Sequence, residues 1–248
     1  ELKLNNFRCF KTSIINLSPG INFFCGPNGS GKTSILEAIY MCSSGKSFKS
    51  SNIKSLISFD QDFFSINAYD SNKGYTLNLV KGRTNPISIK INNTKSTTSA
   101  LLKEFPATAI HNNTFSFANA SPDFRRKILD RSLFVSSPNF SETWFGFYRS
   151  LKQRNSSLKK GLIDNIDVWN QKVSEEGIAL DINRITFFED SLSELNNIFN
   201  RLKPSPMVDK LNKVNIEFFS GWDKENQLYE LLTQNQKKDL FSKTTTQG

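Results

Sequence analysis

Gly26-Pro27-Asn28-Gly29-Ser30-Gly31-Lys32-Thr33 decides how this chain reads. It fits the pattern G-x-x-x-x-G-K-[ST], which holds phosphate only where a strand leads in and a helix leads out. Both are predicted here. Ile21 to Cys25 (Ile-Asn-Phe-Phe-Cys) is a short, mostly apolar strand, and Ile35, Leu36, Ile39 and Tyr40 recur at helical spacing. Glycines let the loop curl so that successive N–H groups face inward, and the start of the helix adds partial positive charge. The reading is therefore ATP or a similar nucleotide held by Gly26, Pro27, Asn28, Gly29, Ser30, Gly31, Lys32, Thr33 and Ser34. Lys32 is assigned to the β- and γ-phosphates, the Thr33 hydroxyl to Mg²⁺ and Ser34 to a further phosphate oxygen. The bland alternative is a glycine-rich turn capping a helix, against which the flanking strand and helix both speak.

Working outward, Glu1 to Phe10 reads as a strand, Ser13 to Leu17 as its short partner and Ser18-Pro19-Gly20 as a turn. Beyond the loop helix, Asp62 to Tyr69, Gly74 to Val80 and Pro86 to Ile91 alternate apolar with polar residues between turn signals, which predicts an antiparallel meander. A short helix at Leu101 to Phe105 and a buried strand at Ala107 to Ile110 follow. From Ser121, an N-cap ahead of Pro122, the pattern turns to long helices: one to about Val135, a second from Ser141, and a third from about Ile166 to Leu202, stopped by Pro204 and Pro206. Val214, Ile216 and Phe218 then alternate as a strand, and a polar tail from Lys237 to Gly248 reads as cut rather than finished. The expectation is an α/β fold: an ATPase lobe with a β meander over 1–115, a helical lobe over 116–205 and a returning segment over 206–248.

Thirty-two Lys and Arg against twenty-three Asp and Glu give a formal charge of +9, which favours a polyanionic partner such as nucleic acid, although solvated surface produces the same excess. Three cysteines, Cys9, Cys25 and Cys42, without a C-x-x-C pair indicate neither a disulfide framework nor a zinc site. His111 is the only histidine, so a multi-histidine metal site is excluded. No apolar run approaches the roughly 20 residues of a membrane span, and a cytoplasmic protein without a membrane is expected.

Several segments together resemble the bacterial RecF family: Leu4-Asn5-Asn6-Phe7-Arg8-Cys9-Phe10, Ser18-Pro19-Gly20-Ile21-Asn22, the loop with Ser34-Ile35-Leu36-Glu37-Ala38-Ile39-Tyr40, and Lys46-Ser47-Phe48-Lys49-Ser50. Ser121 to Asp130, Tyr148 to Asn155 and Phe218-Phe219-Ser220-Gly221-Trp222 continue the resemblance in family order. It implies a P-loop NTPase of the ABC-ATPase type, related to SMC heads, with a helical second lobe. It also implies ATP-dependent homodimerisation on DNA at single-strand gaps and, with RecO and RecR, the placing of RecA, hence recombination, gap repair and the SOS response. The family's signature and Walker B strand lie beyond the stretch matched here, so nucleotide binding with poor hydrolysis is expected and no catalytic residue is assigned. At Ile110 to Phe115 the chain carries His111-Asn112-Asn113-Thr114-Phe115 where the family usually has Ser-Pro-Glu or Thr-Pro-Glu.

By its match to the family's Asp/Asn-Phe-Arg, Arg8 is a candidate clamp over the bound phosphates, with an ordinary surface arginine as the alternative. Arg125, Arg126, Lys127 and Arg131 on one helix, and Lys152, Arg154, Lys159 and Lys160 on the next, are candidates for DNA phosphates; solvated faces or lobe-holding ion pairs are the alternatives. Trp144, Phe145, Phe147, Tyr148 and Trp169 read as core packing before base stacking. An SMC-type head would need a longer coiled coil, and a small-molecule kinase would need repeated strand–helix units after the loop.

Overall fold

A computed structural model of the chain describes residues 1–110, 120–162, 164–202, 215–222 and 227–246. Two compact units emerge, residues 1–120 and 121–248.

The first unit is built on a sheet. β1 (Leu2–Phe7) and β2 (Phe10–Ile15) form a hairpin closed by Arg8-Cys9, with Phe7 opposite Phe10. β3 (Phe63–Asp70), β4 (Tyr75–Gly82), β5 (Ser88–Ile91) and the two-residue β6 (Thr94–Lys95) complete the order β2-β1-β3-β4-β5-β6, antiparallel throughout. This is the meander anticipated from the alternation. Side-chain period two sends Leu2, Leu4, Ile66, Leu77, Leu79 and Ile89 to one face, where all are buried.

Against that face pack α1 (Lys32–Ser44), through Ala38, Met41 and Cys42, and α2 (Thr98–Glu104), through Leu101. Phe7 and Phe64 meet edge to face at 5.2 Å near the middle of this core, a geometry worth about 0.5–1.5 kcal/mol beyond the area buried. A single 3₁₀ turn, Ile53–Leu56, closes the β1 end through the bond from the Arg8 N–H to the Leu56 carbonyl.

Two expected strands are absent. Ile21 to Cys25 is irregular, with Ile21 79% and Phe23 84% exposed. The segment is mostly apolar, but among the described residues no strand pairs with it, and without a ladder partner an extended segment is not a strand. Ala107 to Ile110 is likewise irregular and Ile110 is exposed, while the Ala107 N–H donates to the Ser43 hydroxyl at 3.0 Å. His111 to Phe115 lies outside the described residues.

The second unit is helical: α3 (Pro122–Ser136), α4 (Phe140–Lys160), α5 (Ile166–Arg201), α6 (Leu228–Gln234) and α7 (Gln236–Ser242). Ser121 caps α3 as the sequence indicates, its hydroxyl accepting from the Phe124 N–H at 3.3 Å with Pro122 at the first position. Leu133, Phe140 and Leu180 form one apolar cluster with Phe134, Trp144, Phe147 and Phe187; Val173, Leu228 and Leu232 form another with Leu151 and Trp222. Trp144, Phe147 and Leu151 of α4 are thus committed to packing, while Phe145 and Tyr148 are exposed. Residues 215–220, expected to alternate as a strand, are irregular, and Val214 lies outside the described residues. Among the described residues no helix is long and apolar enough to cross a membrane.

Candidate nucleotide-binding site

Gly26 to Ser30 are exposed, and Gly31 leads from them into α1. Gly29 and Gly31 have φ of +84° and +92°, a region that L side chains seldom occupy. Gly31 is also the N-cap of α1, with no side chain available to cap it, and the first helical bond is Ile35 N–H to the Gly31 carbonyl. The N–H groups of Lys32, Thr33 and Ser34 therefore stand at the helix start without an intrahelical acceptor, where a helix most favours an anion.

Lys32 does not trail into solvent. Its ammonium donates to the Gly26 carbonyl at 2.8 Å and to the Pro27 carbonyl at 2.7 Å, so the charge is tethered across the loop rather than left to wander. An ammonium has three donors, and two are used, which leaves one for a phosphate oxygen. Thr33 is exposed at the same end of the helix and Ser34 is half-buried beside it. The arrangement fits a triphosphate and a hard cation held through a hydroxyl. Among the described residues no group of three or more His, Cys, Asp or Glu could hold a metal by itself, so a cation here needs the phosphates as its remaining ligands.

The β1–β2 hairpin buttresses this loop. A Cβ on Gly31 would fall 2.5 Å from Cζ of Phe10 and 2.9 Å from Sγ of Cys9, so Gly31 is required both for its backbone angle and for the closeness of the hairpin. Sequence reasoning did not find this contact; a glycine at the helix start alongside apolar residues in the preceding hairpin is the only trace it leaves.

Arg8 is held in that turn at φ +54°, its carbonyl accepting from the Ser58 hydroxyl at 2.7 Å. Its side chain grips the buried Glu37 of α1 in a two-pronged ion pair, Nε to Oε2 and Nη2 to Oε1, both at 2.9 Å, while Nη1 donates to the Ser55 carbonyl at 3.3 Å. The Ser47 hydroxyl donates to the same carboxylate. Arg8 thus meets a carboxylate that already occupies two of its N–H groups, and any clamp over phosphates has to share it with Glu37. Glu37 itself, a buried acid one helical turn beyond the loop, was not singled out from the sequence.

The cationic candidates of the helical unit divide. Arg125, Arg126 and Lys127 are exposed on α3, with Lys127 paired to Asp123 one turn earlier at 2.5 Å; Arg131 is half-buried; Lys152, Lys159 and Lys160 are exposed on α4. Arg154 does not belong with them. It is 0% exposed, and its guanidinium donates to Asp239 at 2.8 Å, Asn170 at 2.7 Å, Thr245 at 2.7 Å and the Leu232 carbonyl at 3.3 Å. Its charge is consumed in joining α4 to α5, α6 and α7, so no DNA phosphate reaches it.

A second ion pair was also missed. Asp130, nearly buried, accepts two bonds from Arg184 of α5 and one from Trp144 of α4, tying three helices together. Burial alone would lower the Arg184 pKa, but the Asp130 carboxylate together with Tyr148 outweighs it and the value is raised. Among the cysteines, burial pushes the Cys42 thiol up to about 12, which leaves Cys9 and Cys25 as the exposed ones.

With this geometry in place, the chain was compared with known proteins. Residues 1–246 match the family described as AAA domain. The DNA replication and repair protein RecF of Erwinia tasmaniensis is 30% identical over 252 residues, a match that covers all of this chain and 68% of that protein. The RecF of Shewanella baltica is 34% identical over 261 residues with the same coverage, and that of Aliivibrio fischeri 32% over 244 residues, covering 96% of this chain and 66% of its own. The chain therefore spans about two thirds of the length of these relatives. Among solved structures, that of the recombination mediator protein RecF with ATP in the RecFOR pathway superposes with a TM-score of 0.78, covering this whole chain and 69% of that one at 24% identity, a likeness of fold. A P-loop ABC-ATPase-like α/β fold and whole-chain matches of 30–34% identity lead to one conclusion: the chain belongs to the RecF family.

Proposed function

We propose that the chain binds Mg-ATP at Gly26 to Ser34 and uses it as a switch for assembly on DNA during gap repair and recombination. The observation that carries this reading is the tethered Lys32 ammonium at an uncapped helix start, a cationic nest whose open donors match a polyphosphate. In it, Gly29, Gly31 and the first N–H groups of α1 hold the phosphates, Lys32 reaches the β- and γ-phosphates, and the Thr33 hydroxyl faces Mg²⁺. Bound Mg²⁺ neutralises charge between phosphates; the chain's own part is to orient and hold them. Arg8, pinned to Glu37, sets the position of the hairpin that supports the loop.

ATP would favour a dimer of this chain with paired basic faces on DNA beside a single-strand gap, with RecO and RecR as partners in placing RecA. The family membership supports that role, as do the +9 charge and the exposed Arg125, Arg126, Lys127 and Lys152; Arg131, half-buried, stands behind them. A small-molecule kinase is disfavoured because an antiparallel meander, and no repeated strand–helix unit, follows α1. The test is fluorescence anisotropy of a labelled gapped duplex with and without Mg-ATP, for the chain and for Lys32→Ala. ATP should tighten DNA binding by the parent and leave the variant unchanged. Equal DNA affinity with and without ATP would refute the switch.

A further inference from the structure

The sheet of the first unit has one face committed to the core, and its other face carries a row of side chains that β-structure does not favour. Following the register across the sheet, Lys3 of β1 stands opposite Asn67 of β3, Asn67 opposite Asn78 of β4, Asn78 opposite Lys90 of β5, and Lys90 opposite Lys95 of β6. The residues flanking this row along the strands, Leu2, Leu4, Ile66, Leu77, Leu79 and Ile89, are buried on the other side, so period two puts the whole row on the outer face. Lys3, Lys90 and Lys95 are exposed, and Asn67 and Asn78 are half-exposed.

We propose that this outer face is a nucleic-acid backbone surface, on which the cross-strand row Lys3-Asn67-Asn78-Lys90-Lys95 tracks the phosphates of a DNA strand. The inference rests on the proposed DNA role and assigns it a contact in the first unit, on residues other than the candidates of α3 and α4. Three observations carry it. Asn is depleted in strands, yet two stand face to face in mid-sheet, the Asn78 amide donating to the Asn67 side-chain oxygen at 2.6 Å. Like charges directly opposite destabilise a sheet, yet Lys90 faces Lys95. And the row contains no acid; its one ion pair among the described residues is Lys3 with Glu1 at 3.0 Å.

Glu104 of α2 borders the same shallow depression as Lys95 without forming an ion pair with it. The next row on the same face, Tyr69 opposite Thr76, has the aromatic and the threonine that strands favour. The row from Lys3 to Lys95 instead gives up local stability for a line of cations and amides, the combination that contacts phosphate oxygens. Four strand spacings of about 4.8 Å make the line about 19 Å long, enough for its three lysines to meet separate phosphates of one strand.

The test is a salt titration of gapped-duplex binding by anisotropy for three proteins: the parent, the triple variant Lys3→Gln, Lys90→Gln and Lys95→Gln, and a control with the same charge change at exposed sites off the row, Lys54→Gln, Lys103→Gln and Lys237→Gln. The row variant should bind at least about 10-fold more weakly than the control, with a log–log salt slope shallower by about 2–3 because each lost phosphate contact removes about 0.9. Its ATP affinity should stay at the parent value, and its melting temperature should not fall, since the substitutions relieve a like-charge pair.

If the row variant matches the control in affinity and slope while the parent binds DNA, this surface is refuted and the DNA role stands. If the parent binds no DNA at any salt, the DNA role fails and this inference with it.

Discussion

Replacing Arg154 by Met should unfold or severely destabilise the helical unit. The side chain is fully buried and donates to four acceptors drawn from α5, α6, α7 and the segment after α7. Met fills much of the volume but donates nothing, so the Asp239 carboxylate, also 0% exposed, keeps only its bonds from the Thr246 N–H and hydroxyl, and the Asn170 amide loses a partner. Breaking one side of a buried ion pair costs about 3–5 kcal/mol, a large share of the 5–15 kcal/mol typical of a whole domain. All three tryptophans, Trp144, Trp169 and Trp222, lie in residues 121–248, so tryptophan emission reports on this unit. With a urea m-value of about 2 kcal/mol per molar, the midpoint should fall by about 2 M. Arg126→Ala, on an exposed face, should change stability by less than about 0.5 kcal/mol. A midpoint for Arg154→Met within about 0.3 M of the parent would refute the reasoning, because Arg154 would then be neither buried nor paired in solution.

Gly31→Ala combines an unfavourable φ with a Cβ 2.5 Å from Phe10, whereas Gly29→Ala meets open space, so the first should lose about 1–3 kcal/mol more stability than the second in urea melts. Cys9 and Cys25 should alkylate in the native protein while Cys42, buried and with its pKa pushed up to about 12, stays protected until unfolding; peptide mass mapping reads this directly, and early labelling of Cys42 would contradict the packing of α1. The same raised value carries a sign: the buried thiol contributes nothing to stability change below its ordinary value of 9.0, and stability falls as pH rises from there towards 12, measurable as a drop in melting temperature absent from Cys42→Ala. Glu37→Gln keeps the size of the side chain but leaves the Arg8 guanidinium uncompensated against a half-buried wall, and should weaken both stability and nucleotide affinity.

Much of the fold was written locally. The N-cap and Pro pair at Ser121-Pro122 fixes the start of α3, and the tendency to alternate over Asp62 to Tyr69 and Gly74 to Val80 marks two strands and their turn, because caps and period-two burial depend on neighbours in the chain. The strand expected at Ile21 to Cys25 failed for the opposite reason: its ladder partner has to come from elsewhere, and a short apolar run cannot say whether one is there. Arg154 shows the same limit. Its neighbours Lys152, Lys159 and Lys160 are exposed, and only its place on the stripe of Ser150, Ser157 and Leu158 could have marked it as buried; its partner Asp239 is 85 residues away. The loop itself was legible because its residues act on one another within eight positions. What supports it, Cys9 and Phe10 against Gly31 and Glu37 against Arg8, reaches across the first unit and shows only in three dimensions.

The central claim is that Lys32, held by the Gly26 and Pro27 carbonyls, places its charge for a nucleotide's phosphates. Isothermal titration of Mg-ATP into the chain and into Lys32→Ala tests it most directly, with the unfolding midpoint of each protein measured alongside. The one charge-assisted contact left to Lys32, about 1.5–3 kcal/mol, sets the expected loss in the variant at about 10- to 100-fold, with an unchanged midpoint. Equal affinity in the two proteins, or no heat of binding from either while both are folded, would contradict the account.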